Sequence, residues 1–375
     1  MQNPSLRQEM TRKLERQPLR ILIVTHAPLL PEHGAAQVAI NLGQAFEDLG
    51  HEVTLWSPQP VPSEIKQWNQ SRYMRKKLQS YLETQDTFNV IDCPPIFITK
   101  SFEKKSIVVS RHVQPDLLYI LSTLKIDRDA SWKNFLSFPV RLLISISDAI
   151  SIVFGWYIAD YIFCLGTHEL EWMTKWFPAL RGKLSAYYNA ISENEQGSLK
   201  KIRADRSLEQ LPHIRFLWIG RWVRHKGIRE LESFISSWLL NSPQDSFTIA
   251  GCGNCETSKS LLRLKKIEQV SIVPSFDRTT LLELLNSHNI GLFCSQVEGW
   301  GLCLNEMLES GMPVFATNTG GVSDLKRSLN ERIFAFPPNA QSINEVTSQS
   351  TFDDTYYNYF SWDSIAKSYL EKIFD

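Results

Sequence analysis

Residues Ser295–Gly321 read S-Q-V-E-G-W-G-L-C-L-N-E-M-L-E-S-G-M-P-V-F-A-T-N-T-G-G. Gly299 and Gly301 follow Glu298, an apolar helical pattern carries Glu306, and Pro313 to Ala316 reads as a strand before a glycine pair. The stretch is therefore a loop that opens a helix above the end of a strand, with one acid at its mouth and one further in. A helix starting near Gly301 turns its free amides into the loop, where they attract an anion. The two glycines let a ligand approach the backbone closely. An ionised carboxylate only accepts hydrogen bonds, so the pair suits vicinal hydroxyls, one acid on a ribose and the other on a hexose. The plainer alternative is a solvated Glu298 and a helix-surface Glu306. Leu302, Leu304, Met307 and Leu308 crowd Glu306, which leaves Glu309 as the better candidate for a solvated acid.

Outward from this stretch, strands and helices alternate. Leu19 to Val24 is a buried strand, and Gly34 opens a helix with Val38, Leu42, Ala45 and Phe46 on one face. Gly50 fits its C-terminal cap, and Val53 to Trp56 is the next strand. A β-loop-α-β unit implies a parallel sheet with a ligand crevice at its strand C-termini. Ser106 to Val109 and Asp160 to Leu165 continue the sheet, with Arg111 and His112 just past the former. After a polar, irregular stretch from Ser192 to Arg206 the rhythm restarts, with strands at Ile214 to Ile219, Phe247 to Ala250, Ser271 to Val273 and Ile290 to Cys294. Two such runs predict an α/β fold of two facing Rossmann-like domains, each a doubly wound, mostly parallel sheet. The expected division is a polar leader at 1–18, a first domain at 19–191 and a linker at 192–212. A second domain at 213–358 and a C-terminal helix at 359–375, crossing back to the first domain, complete it.

Other stretches carry chemistry. Arg221 and Lys226 flank a strand end and a helix start, where two cations make a diphosphate clamp, or are ordinary surface charge. Gly34 can admit a phosphate or sugar to a helix start, or simply turn the chain. His112, on the crevice side of its sheet, can bond a sugar hydroxyl or share a proton, or be structural. Asp127-Arg-Asp129 has no buried strand directly before it and reads as a decoy for a metal-bound sugar nucleotide.

Lys+Arg and Asp+Glu are both 40 in the 375 residues, which argues against bulk attraction to nucleic acid. No phosphate-loop or G-x-S-x-G motif is present. Cys252 and Cys255 lack a second ligand pair, and the six scattered cysteines suit a reducing cytoplasm. Met1 to Arg20 lacks the apolar run of a signal peptide. Phe135 to Ile158 is long enough to span a bilayer, but Arg141, Asp148, Pro139 and Gly155 interrupt it, favouring a buried or membrane-facing helix. With the basic run Arg72 to Lys77 it suggests contact with the inner face of a membrane.

The motif E-G-W-G-L-C-L-N-E-M-L-E-S-G-M-P-V, with G-R-W-V-R-H-K-G at 220–227, resembles the retaining, nucleotide-sugar-dependent glycosyltransferases of the group 1, or family four, GT-B type. Tyr188-Asn189-Ala190 and Phe360-Ser361-Trp362 resemble that family's end-of-domain turn and C-terminal crossover segment. The resemblance implies a hexosyltransferase whose donor is a nucleotide-diphosphate sugar, whose acceptor is a saccharide or lipid-linked sugar, and which needs no cofactor and no metal. It implies that Arg221 and Lys226 hold the diphosphate and Glu306 the ribose. Glu298 and the following Gly299, Trp300, Gly301 and Leu302 would hold the sugar, and Gly34 and His112 would complete the site. Departures are Ala35 where a second glycine is usual, Met307 where alanine commonly follows the second acid, and Ala190 for a glycine. A phosphorylase or epimerase on the same scaffold, or a non-catalytic nucleotide-sugar-binding protein, are the alternatives.

Overall fold

The computed structural model describes residues 17–30, 34–102, 106–124, 138–206, 213–254, 256, 258–346 and 352–374. His33, Cys255 and the Asp127–Asp129 triplet lie outside the described residues. The chain forms two compact units, one of residues up to Asn189 together with Trp362 onward, the other Ala190–Ser361.

Unit 1 holds six parallel strands: β1 (Arg20–Val24), β2 (Glu52–Trp56), β3 (Val90–Cys93), β4 (Ile107–Arg111), β5 (Tyr161–Leu165) and β6 (Leu184–Tyr187), in the order β2-β1-β3-β4-β5-β6. Unit 2 holds β7 (Arg215–Ile219), β8 (Ser246–Ala250), β9 (Val270–Val273), β10 (Ile290–Phe293), β11 (Val314–Ala316) and β12 (Ile333–Ala335). Their order is β12-β11-β10-β7-β8-β9, also all parallel. The strands are mostly apolar because crossover helices cover both faces of a parallel sheet, with Asp92 on β3 and Arg111 on β4 as buried exceptions. The order reverses between β7 and β10, and ligands of open α/β sheets bind at such a switch point. Both α/β sheets match the expected fold class.

Several local readings change. The stretch expected to be irregular linker contains the helix Glu193–Asp205, which belongs to unit 2. Its apolar stripe is too narrow to read from periodicity, because Leu199 is its one fully buried side chain. Arginines carry its packing instead: Arg203 donates to the Glu309 carbonyl at 2.9 Å, and Arg206 to those of Ser310 (3.0 Å) and His288 (2.6 Å). Carbonyls near the ends of the helices Arg278–Ser287 and Leu302–Glu309 are thereby satisfied.

Two buried acids anchor the C-terminal segment through tyrosines. In unit 1 the helix Trp362–Phe374 sends Tyr369 inward to stack on Phe163, with ring centroids 3.9 Å apart, and to donate its hydroxyl to Asp92. Arg111 Nε donates to the other Asp92 oxygen at 2.7 Å, and both side chains are fully buried. In unit 2 Tyr356 and Tyr357 donate to the two Glu309 oxygens at 3.1 Å each. Glu309 is therefore not the solvated acid of the sequence reading: it is fully buried. Burial pushes its carboxyl up to about 7, against the tyrosine bonds and the Arg203 charge. A polar residue on an otherwise apolar helix face gave no sign that tyrosines some 50 positions later would cover it.

Arg111→Met leaves Asp92 buried without its cation, and is expected to lose about 3–5 kcal/mol of stability in chemical denaturation. Adding Asp92→Asn should restore most of that loss. Folded Glu309 holds a proton up to about pH 7, whereas the unfolded chain releases it near 4.5. Folding takes up a proton in that window, so this group's contribution to stability falls as pH rises through it, by up to about 3 kcal/mol. Glu309→Gln should lack that slope, and its melting temperature relative to the parent should rise between about pH 5 and pH 8.

Candidate functional site

The loops after β7 and β10 are locked together at the switch point. After β7 the chain turns through Arg224–Lys226 to Gly227, which adopts φ 72°. A Cβ at Gly227 would lie 1.7 Å from the Cys294 carbonyl oxygen, so only glycine lets the β7 loop meet the end of β10. Gln296 N donates to the His225 carbonyl at 2.7 Å, and the Cys294 thiol to that of Lys226 at 3.4 Å. This frame sets Lys226 against Glu298.

Lys226 Nζ is ion-paired with Glu298 Oε2, both side chains about 15% exposed. Ser295 Oγ donates to the same oxygen at 3.1 Å. Burial disfavours the Lys226 ammonium, but the Glu298 carboxylate outweighs it, and the lysine pKa rises. The guanidinium of Arg221, exposed beside the same loop, is close enough to oppose the lysine charge.

Beyond the loop, Gly301 caps the helix Leu302–Glu309 at φ 94°, against the Phe293 ring. Glu306 lies on its second turn and ion-pairs with Arg278, which also pairs with Glu195 at 2.9 Å. Burial raises the Glu306 pKa, and Arg278 pulls against it. Sequence reasoning missed Arg278 and Glu195, which belong to two different helices; no local spacing connects them to Glu306. The half-buried Cys303 thiol lies within the fields of Lys226, Glu298 and Glu306 together. Burial and the two acids push it up to about 12, against the lysine, so it is a neutral thiol.

Lys226, Glu298 and Glu306 thus act together on the Cys303 thiol, and Arg221 acts on Lys226, while Gly299, Gly301 and Leu302 follow Glu298 along the loop and the helix start. Trp300 differs. It is buried, its ring lies under Gly321, and its indole N–H donates to Asn305 Oδ1 at 2.6 Å. Asn305 in turn donates to Tyr356 at 2.8 Å, so Trp300 is a wedge beneath the loop rather than a surface for a ligand.

In unit 1, Gly34 is exposed at the first position of the helix Gly34–Asp48. His112 is not presented to a crevice as expected: it is fully buried. It prolongs the ladder beyond β4, its amide donating to the Phe163 carbonyl at 2.9 Å, which turns its ring inward toward Trp156. Its Nδ1 sits 2.8 Å from Glu169 Oε1, and its Nε2 has no hydrogen-bond partner among the described residues. Burial lowers the His112 pKa, but the Glu169 charge reverses this and raises it overall. Cys164 completes a buried trio with ligand atoms within 4.8 Å of one another. Both Glu169 oxygens are engaged, the second by Leu165 N at 2.8 Å, and burial pushes the Cys164 thiol well up. The trio therefore fits a core network rather than a metal centre.

Residues 201–359 match the family model described as glycosyl transferases group 1. An uncharacterized glycosyltransferase of Methanocaldococcus jannaschii is 26% identical over 165 residues, which are 40% of this chain and 42% of that protein. The chain thus spans less than half the length of this curated relative. Among solved structures, sucrose-phosphate synthase from Thermosynechococcus elongatus superposes with a TM-score of 0.60 at 15% identity, covering 96% of this chain and 94% of that one. The catalytic domain of starch synthase IV from Arabidopsis thaliana, bound to ADP and acarbose, gives 0.61 at 11% identity, covering 95% and 99%. The fold is therefore that of the GT-B glycosyltransferases, and residues 201–359 of this chain are similar to the glycosyl transferases group 1.

Proposed function

We propose that the protein is a retaining hexosyltransferase that moves a hexose from a nucleotide-diphosphate sugar to a saccharide or lipid-linked acceptor, without a metal ion at the diphosphate. The observation that carries this reading is the convergence of Arg221, Lys226, Glu298 and Glu306 on the β7/β10 switch point. Two cations beside a helix N-terminus suit a diphosphate and stabilise it as it departs. Two acids a turn or more apart suit hydroxyls, with Glu306 assigned to the ribose and Glu298, with the amides of Gly299 to Leu302, to the hexose. The ADP in the starch synthase IV complex supports a nucleotide on this fold.

In this mechanism the acceptor hydroxyl oxygen bonds to the anomeric carbon as the bond to the diphosphate breaks, and its proton passes to the departing diphosphate. Retention elsewhere relies on a carboxylate nucleophile. Here both acids are engaged by cations and the Cys303 thiol is neutral, which favours front-face attack without a covalent intermediate. His112, fully buried and paired with Glu169, is given no part in binding or transfer. Five buried or half-buried free cysteines among the described residues accord with a cytoplasmic protein. A role in polysaccharide assembly follows from the acceptor class proposed.

Lys226→Ala should weaken binding of a nucleoside diphosphate about tenfold or more in calorimetry while leaving the bare nucleoside nearly unaffected. Equal losses for both would rule out the clamp. Glu306→Ala should weaken nucleotide and nucleoside alike, by about tenfold. Unchanged affinity would remove its ribose role. Thermal shift across a panel of nucleotide sugars selects the donor for these measurements.

A further inference from the structure

The helix Phe138–Ile158 is docked on unit 1 along one narrow stripe. Ile152, Gly155 and Trp156 are its buried residues. Gly155 lies so close to Pro95 that a Cβ would sit 2.1 Å from the Pro95 carbonyl oxygen. Ile152 and Trp156 belong to the same core cluster as Leu22, Val24, Ile91 and Ile162 of the sheet. The opposite face is apolar and open. Val140, Leu143, Ile146, Ile150, Phe154 and Tyr157 recur every three or four positions, with Leu143 68% and Ile150 65% exposed. The neighbouring helix Asp116–Leu124 adds Leu121, also exposed.

We infer that this outward face is a docking surface for an anionic lipid bilayer, with the helix lying in the plane of the interface. The helix has the length to cross a membrane, about 32 Å at 1.5 Å per residue. Crossing would draw Ile152 and Trp156 out of the core and pull Gly155 from Pro95, and β5 begins only three residues after the helix ends. An in-plane helix keeps those contacts and buries the open stripe in the acyl boundary.

The charges around the stripe select lipid over an apolar protein partner. Lys100 is exposed with Nζ 5.8 Å from the Phe154 ring centre. Lys183 Nζ donates to the Tyr157 carbonyl at 2.8 Å, and Arg141 lies on the helix itself. The helix Gln70–Glu83 runs alongside, joined by Arg75 Nη1 to Ser151 Oγ at 2.9 Å, and carries Arg72 and Lys76 exposed one turn apart. The only acid on the apolar helix, Asp148, is half-buried and faces Ser71 and Arg75. A long apolar face bordered by cations, with Tyr157 at its end, is the pattern of an interfacial helix that recognises phosphate headgroups.

The test uses the full chain with vesicles of phosphatidylcholine containing phosphatidylglycerol, against pure phosphatidylcholine vesicles. The parent should co-sediment with the anionic vesicles and much less with the neutral ones. Leu143→Glu combined with Ile150→Glu should reduce that binding about tenfold or more. Arg72→Glu combined with Lys76→Glu should reduce the preference for the anionic vesicles. Both variants should melt with the parent and bind nucleoside diphosphate equally well. That keeps this inference separate from the donor site, because either result can fail alone. A parent that stays in the supernatant with both vesicles overturns the proposal. So does a folded Leu143→Glu/Ile150→Glu variant that sediments like the parent. A parent dimer in analytical ultracentrifugation that this variant converts to monomer would also overturn it, assigning the face to a second copy.

Discussion

The functional half of unit 2 depends on a single close approach: the backbone of Gly227 against the carbonyl of Cys294. Parallel strands end in loops that diverge unless something joins them, and at the β7/β10 reversal this glycine is the joint. It brings the β7 loop within hydrogen-bond reach of the β10 loop, and the His225 carbonyl accepts the amide of Gln296. Lys226 then has a fixed backbone on both sides, and its ammonium meets Glu298 with little side-chain freedom left to lose. A site held on rigid backbone in this way keeps its charges in place through binding.

The same logic of buried polar anchors recurs in the C-terminal segment. Tyr369 on Asp92 and Tyr356 with Tyr357 on Glu309 each use an acid inside a core to fix the position of a late element. A buried acid is costly alone, so each needs its partners complete. Asp92 has Arg111 as counter-charge, whereas the Glu309 carboxyl has tyrosine hydroxyls, with Arg203 bonded to its backbone carbonyl, and burial pushes it up toward neutrality. Ion pair and proton uptake are two solutions to the same burial problem.

The alternation of apolar runs and helical faces was legible in the sequence because parallel strands are mostly apolar and their crossover helices are amphipathic. Short strands such as β12, and the helices Val322–Ser328 and Ala340–Val346, were not, since a few residues carry too little periodicity. The segment after Gly321 accordingly carries no clear element pattern in the sequence. Glu298, Glu306, Arg221 and Lys226 could be found because spacing and glycines mark a loop-to-helix junction. Arg278 and Glu195 could not, because they reach Glu306 through tertiary packing. Trp300 and His112 show the converse error: a residue next to a site in sequence can be turned into the core by one hydrogen bond, to Asn305 in one case and to Glu169 in the other.

Both acids of the site carry cations within the protein, and this shapes how the proposed donor would be received. Two isolated carboxylates in a half-buried mouth would repel a diphosphate, whose own charges need compensation. Pairing Glu298 with Lys226, and both Glu306 and Glu195 with Arg278, leaves one acid in excess, which the exposed guanidinium of Arg221 offsets. A diphosphate that engages Lys226 competes with Glu298 for the ammonium, and the released carboxylate oxygens then accept hydrogen bonds from hydroxyl donors. Phosphate and sugar hydroxyls are thus complementary demands on one ion pair. A ligand offering phosphate alone would strand Glu298, and one offering sugar alone would still face the closed pair. In the proposed function, the joint presence of both groups in a nucleotide-diphosphate sugar is what opens it.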